Sequence, residues 1–185
     1  KSISQLNICA SAYNNAGYKC YQKKEYDLAL KNFVSAINIQ IAPSINRIDL
    51  DVVYGAALSA NNAEQYSEGV KWASKLIEIE PDSSKYHNVL IEAYERSGDL
   101  DKQLESIQNA RIAVPQSKDL IFKEVNYYIS TGDNESLLQS LDHAVSKDPE
   151  NPVLHFVLGS AYSNLGKQDK AELAYKQVIS LDSEY

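Results

Sequence analysis

The sequence repeats itself every 34 residues. Pro81, Pro115 and Pro149 keep that step, and so do Gly98, Gly132 and Gly166. Tyr94, Tyr128 and Tyr162 follow it as well, with Ala110, Ala144 and Val178 in the same phase. Several residue types in one register make this an internal repeat, and a period of this length restricts the fold to stacked supersecondary units.

Each period reads as two helices. In the last one, Pro152 suits a first helical turn, where its missing N–H costs nothing. Leu154, Leu158, Ala161, Tyr162 and Leu165 recur at helical spacing until Gly166 ends the helix. A second helix is predicted over 168–181, with Ala171, Ala174, Tyr175 and Val178 on one face. Ser97-Gly98-Asp99 and Thr131-Gly132-Asp133 read as turns between helices, and Asp99 as a helix cap. Pro115 and Pro149 close second helices, because proline cannot continue them. Upstream, helices are predicted over 53–62 and 66–79. The first pair, over 4–23 and 26–39, is displaced by 40 residues instead of 34. The six extra residues fall around 41–46, a Pro/Ser/Asn segment that reads as a longer connection. The expected architecture is an all-α solenoid of five repeats, about 10–43, 50–83, 84–117, 118–151 and 152–185, filling the chain as one domain.

Composition agrees with a folded helical chain. Hydrophobic residues make up 44% and charged residues 23%, with only seven Gly and five Pro in 185 residues. The net charge is −7 and no basic cluster occurs, so nucleic-acid binding is not expected. No stretch approaches the ~20 apolar residues of a membrane span, and no membrane insertion is expected. The chain begins at Lys1 and contains no Met, which reads as a processed or trimmed piece; the compartment stays open. Cys9 and Cys20 fall on one predicted helix, about 16 Å apart along its axis. A disulfide needs Cα atoms within ~7 Å, so they are read as small buried thiols.

At Leu158-Gly159, Tyr162, Gly166, Ala171, Tyr175 and Leu181-Asp182 the last repeat resembles the tetratricopeptide repeat family. The first repeat matches it through Gly17, Tyr26, Ala29, Phe33 and Ala36. The resemblance implies a right-handed superhelix in which Gly17, Gly159, Ala29, Ala171 and Gly69 let paired helices approach. Departures occur at Ile91 and Val125, where the family has a small residue, and at Gln103 and Leu137, where it has Ala. The family's Trp is replaced by Tyr13, Val53, His87, Ile121 and His155. The Tyr- and Asn-rich style is also similar to repeat proteins of the Bacteroidetes cell envelope.

No motif for catalysis, metal or phosphate is present, so no enzyme activity and no cofactor are expected. His87 and His155 occupy equivalent repeat positions and read as interhelix spacers. His143, beside Asp142, reads as part of a solvated face. Glu92 and Glu95 share one side of a helix with Arg96 following, which reads as a charge-balanced surface. The Asp99-Leu100-Asp101 run lacks the ligands of a calcium loop.

The resemblance implies that the first helix of each pair lines a concave, peptide-binding groove. The projected lining is Asn14, Tyr18, Tyr21 and Gln22, then Tyr54, Leu58, Asn61 and Asn62. Lys85, Asn88, Glu92, Glu95 and Arg96 follow. Asp119, Phe122, Lys123, Asn126 and Ile129 come next, then Val153, Phe156, Val157, Ser160 and Asn164. Amides can pair with an extended backbone, and aromatic rings give contact area at little entropy cost. Chaperone-binding members grip a terminal carboxylate with Lys, Asn and Arg. The matching places here are Asn14, Tyr18, Gly55, Lys85 and Val89, of which only Lys85 agrees, and shifted frames do no better. The expected partner is a protein or peptide bound otherwise. The alternative expectation is self-association through the C-terminal end, around Val153 and Phe156.

Overall fold

A computed structural model describes residues 2–182. They form ten helices and no strand: α1 (Ile3–Gln22), α2 (Tyr26–Gln40), α3 (Leu50–Asn62), α4 (Tyr66–Ile79), α5 (Ser84–Ser97), α6 (Leu100–Ala113), α7 (Lys118–Thr131), α8 (Asn134–Lys147), α9 (Pro152–Asn164) and α10 (Gln168–Leu181). Two compact units are formed, Lys1–Gln116 and Ser117–Tyr185.

The helix ends follow local chemistry. Ser2 and Gln5 form a reciprocal capping box at α1, satisfying two N-terminal donors. α3 starts three residues earlier than its hydrophobic pattern predicts, because the Asp49 carboxylate accepts from the Asp51 N–H at 3.2 Å. Asp99 and Asp133 cap α6 and α8 by accepting from Lys102 and Ser136 N–H. The interhelix turns need a left-handed residue, and Gly98, Gly132 and Gly166 supply it with φ of 77°, 73° and 70°. Lys24 and Glu64 hold the same place in the first two repeats, at φ 63° and 60°. The long connection spans nine residues, 41–49, against four in each later connection, and α2 is one residue longer than α4. Arg47 N–H donates to the Gln40 carbonyl at 2.9 Å, closing the excursion.

In the first unit α1 packs on α2, α3 on α4 and α5 on α6, and α2 and α4 each pack on the next first helix. α3 also touches α1 and α5, whereas α2, α4 and α6 do not approach one another among the described residues. The first helices therefore form the inner layer of this unit. Phe33 of α2 is fully buried at its centre. A Cβ on Gly17 or on Gly55 would lie 2.8 Å from its ring, so the ring occupies a slot that two glycines keep open. In the second unit α7 packs on α8, α8 on α9 and α9 on α10, around buried Leu120, Leu141, Leu154 and Leu158. There Tyr175 takes up the space over Gly159, whose Cβ would lie 2.7 Å from the ring.

The departures from the repeat pattern have a measurable effect. Pairs with small residues at the crossing, α1–α2 and α9–α10, approach closely along their length. α5–α6 carries Ile91 and Gln103, α7–α8 carries Val125 and Leu137, all four are buried, and these backbones stay further apart. Side-chain volume at the crossing sets the separation.

His87 and His155 are buried. Each also ties its helix to the preceding turn, His87 Nε2 to the Pro81 carbonyl at 2.7 Å and His155 Nε2 to the Pro149 carbonyl at 2.8 Å. A carbonyl only accepts, so Nε2 carries the hydrogen in both. Cys9 and Cys20 are free thiols and only half-buried, not buried as the sequence led us to expect. Their helix lies at the end of its unit, covered by α2 and α3 alone.

Candidate peptide-binding face

In the first unit the inner helices present a run of tyrosines. Tyr18 of α1 packs edge-on against Phe33, with centroids 5.0 Å apart, and remains 41% exposed. Its hydroxyl donates to the Asp51 carbonyl at 3.5 Å. Tyr21, one turn on, accepts from the Asn62 side-chain amide of α3 at 3.1 Å, and that amide also donates to the Leu58 carbonyl. Tyr54 of α3 tilts against Tyr86 of α5 at 5.8 Å. Lys85 Nζ lies 4.8 Å from the Tyr54 ring centre and 4.9 Å from that of Tyr86, with the Asp51 carboxylate at 3.9 Å. Further along α5, Arg96 donates to Glu92 at 3.4 Å and lies over the Tyr66 ring.

Four of these phenols lie in the field of carboxylates; Tyr86 is raised first by burial, then by Glu80 and Asp51. Burial raises Tyr18 above the ordinary phenol value, and Asp51 and Asp49 raise it further. Burial also raises Tyr21, reinforced by Tyr26, Glu92 and Tyr54, while the Asn62 hydrogen bond works the other way. Tyr54 is raised by burial and then by Glu92. Tyr21 of α1 and Tyr54 of α3 are thus both raised in part by Glu92 of α5.

Of the projected lining in this unit, Tyr18, Tyr21, Tyr54, Asn62, Lys85, Glu92 and Arg96 fall into this constellation. Asn14 and Asn88 are half-buried, and their Oδ1 atoms are out of solvent and accept no hydrogen bond from the described residues. Asn61 requires a correction. It is fully buried, its amide donates to the Val89 carbonyl at 2.9 Å, and its Oδ1 occupies the space where a Cβ on Gly69 would go. It bolts α3 to α5 and is not offered to a ligand. The residues the projection missed are Asp51, Tyr66 and Tyr86. Asp51 and Lys85 stand 34 residues apart, so the repeat register itself places those opposite charges side by side.

The second unit has a more apolar surface. Phe122 and Lys123 of α7 are half-buried and Asn126 is exposed. Phe156 of α9 is 43% exposed and tilts against Tyr175 at 5.9 Å. The Tyr175 hydroxyl donates to Ser160 Oγ at 3.2 Å. Ser160 and Asn164 border a cavity of about 120 Å³ whose walls include Ile129, Leu137, Val157 and Ala161. Its size suits one aliphatic side chain or a few waters.

Among the described residues no group of three or more His, Cys, Asp or Glu is placed to hold a metal ion. Glu92 is engaged by Arg96 instead. His143 is exposed on α8. No described helix is long and apolar enough to cross a membrane.

Comparison with known proteins agrees with this architecture. No curated protein matches the chain by sequence. Among solved structures, a crystal structure of MamA protein superposes with a TM-score of 0.67 at 15% identity, covering 95% of this chain and 93% of that one. MamA residues 41 to the end from Desulfovibrio magneticus RS-1 gives 0.64 at 16%, covering 95% and 96%. A thermophilic TPR protein of Thermus thermophilus, TTC0263, gives 0.52 at 20%, covering 94% and 92%. At these identities the likeness is one of fold. The tetratricopeptide repeat model matches residues 52–180, most of the chain and four of its five helix pairs, and the chain therefore belongs to the tetratricopeptide repeat family.

Proposed function

We propose that this chain is a protein-interaction scaffold that binds an extended peptide segment on the faces of its first helices. The observation that carries this reading is the row of accessible tyrosine and amide side chains on α1 and α3, with Tyr18 edge-on to Phe33 and Tyr21 fixed by Asn62. Such rings offer large contact area with few torsions to freeze. Tyr18 on the face and the buried Val89 stand where a terminal-carboxylate clamp needs amide or basic groups, which supports a segment bound along its length and not by its end. In the second unit Phe122, Asn126 and Phe156 supply the corresponding surface. Selection from a random peptide library tests the reading. Enriched peptides should lose binding to a Tyr18→Ala/Tyr54→Ala variant that retains its helicity. Enrichment indifferent to Tyr18, Tyr54, Phe122 and Phe156 together would place the interaction elsewhere.

A second reading is favoured by one observation on α10. Leu173 and Ile179 are 64% and 65% exposed, and Tyr175, Lys176 and Ile179 border an open hollow of about 420 Å³. This surface suits self-association. Sedimentation velocity across a concentration series separates the readings, since an Ile179→Glu variant should abolish any concentration-dependent dimer and leave peptide binding intact.

A further inference from the structure

We propose that the first-unit face selects a basic segment, whose Lys or Arg side chains lie on its tyrosine rings beside the Asp51 and Glu92 carboxylates. The inference rests on the peptide-binding reading and adds the chemistry of the partner. On this face the chain's own cations already display the recognition mode twice. Lys85 places its ammonium over both Tyr54 and Tyr86 with the Asp51 carboxylate 3.9 Å away. Arg96 places its guanidinium over Tyr66 and donates to Glu92 at 3.4 Å. A cation held over an aromatic face beside an acid is attracted by both the ring quadrupole and the charge.

Neither carboxylate is sealed by these contacts. The Asp51 side chain is 77% exposed and the Glu92 side chain 38% exposed. Exposed pairs of this length contribute little net stability, so an incoming cation can share or replace the resident one. The projected lining of the neighbouring first helices carries no positive charge. α1 contributes Asn14, Tyr18, Tyr21 and Gln22 and α3 contributes Tyr54, Leu58 and Asn62, all uncharged, while α5 adds the further carboxylate Glu95. Burial first, and then nearby carboxylates among other groups, raise the Tyr18, Tyr21 and Tyr54 phenols above their ordinary value, and a carboxylate near a ring also favours a cation there. The polarity is opposite to that of a basic clamp on an acidic peptide end.

The test uses the full chain and short acetylated, amidated Gly/Ser peptides bearing Arg, Lys, Glu or Leu, followed by fluorescence anisotropy. The Arg and Lys peptides should bind about tenfold more tightly than the Glu peptide at low salt, and the difference should shrink as salt is added. Glu92→Gln and Tyr54→Leu should each weaken Arg-peptide binding about fivefold, while Tyr54→Phe, which keeps the ring, should not. Glu or Leu peptides binding as well as the Arg peptide would overturn the basic preference and leave the peptide-binding face standing. Failure of every peptide to bind would remove both. Arg-peptide binding unchanged in a Glu92→Gln/Tyr54→Leu variant would overturn the assignment of the site.

Discussion

Phe33 and its two glycines allow a prediction in which the sign of an effect reverses. Gly55→Ala adds a methyl 2.8 Å from Phe33 Cζ, well inside the ~3.5–4.0 Å optimum for carbon contacts. The ring has little room to retreat, because it already fills the space over Gly17 and the side chain has no exposed surface. Overpacking of this kind costs about 1–3 kcal/mol. Replacing a mid-helix glycine by alanine returns about 0.5–1 kcal/mol. Gly55→Ala should therefore destabilise the wild-type chain by about 0.5–2 kcal/mol. In a Phe33→Leu background the collision disappears and only the helical gain remains, so the same substitution should become neutral or stabilising by up to about 1 kcal/mol. The coupling between the sites, equal to the overpacking cost of about 1–3 kcal/mol, lies in the range for residues in contact. Urea titration with Trp72 fluorescence is a suitable assay, since Trp72 is the one tryptophan and lies buried on α4 in the same unit. Equal costs of Gly55→Ala in both backgrounds, within about 0.5 kcal/mol, would refute the slot.

Other outcomes follow from the turns, caps and histidines. Lys24→Gly and Glu64→Gly should each raise stability by about 0.5–1 kcal/mol, because these residues hold a left-handed conformation that glycine adopts without strain; Gly98→Ala should lower it, and thermal melts will read both. His87→Leu should cost about 1–2 kcal/mol through loss of its bond to the Pro81 carbonyl, whereas Ile121→Val, at the equivalent place in the fourth repeat, should cost about 0.5–1.5 kcal/mol. The Asp99 and Asp133 carboxylates are held below the ordinary value of 3.8, Asp99 by the Lys102 N–H and side chain, Asp133 by the Ser136 hydroxyl and N–H. Their contribution is present above pH 3.8 and is lost as pH falls through the lower folded-state values. An Asp99→Asn/Asp133→Asn variant, which keeps a capping oxygen, should lose stability less steeply in an acid titration.

The fold was legible because the repeat leaves several marks in one register. Pro81, Pro115 and Pro149 mark helix ends, and Gly98, Gly132 and Gly166 mark turns, so the helix pairs follow from spacing alone. Lys24 and Glu64 were hidden, since neither residue type announces a positive φ. The face was only partly legible. Register put Tyr18, Tyr54 and Glu92 on first helices, where the structure brings them near one another, but it also put Asn61 among the lining. Whether a side chain at that position turns outward depends on the room behind it, and Gly69 opens such room. Tyr86 went unseen because it is buried one residue beyond the lining position, and only the Lys85 ammonium, folded back between two rings, makes it part of the surface. Spacing reports where a residue sits on a helix; the volumes of its neighbours decide where it points.

The unequal closeness of the helix pairs has a kinetic meaning. Stability in a repeat array accumulates locally, from each pair and its neighbours. Pairs held by glycine and alanine contacts, α1–α2 and α9–α10, should keep their amide hydrogens longest. α5–α6 and α7–α8, spread by Ile91, Gln103, Val125 and Leu137, should exchange theirs sooner through partial opening. Two of the residues that carry the proposed recognition chemistry, Lys85 and Glu92, stand on α5. The segment that must readjust when a ligand arrives should then lie on the sooner-exchanging pair, and the tyrosines of α1 on the longer-protected one.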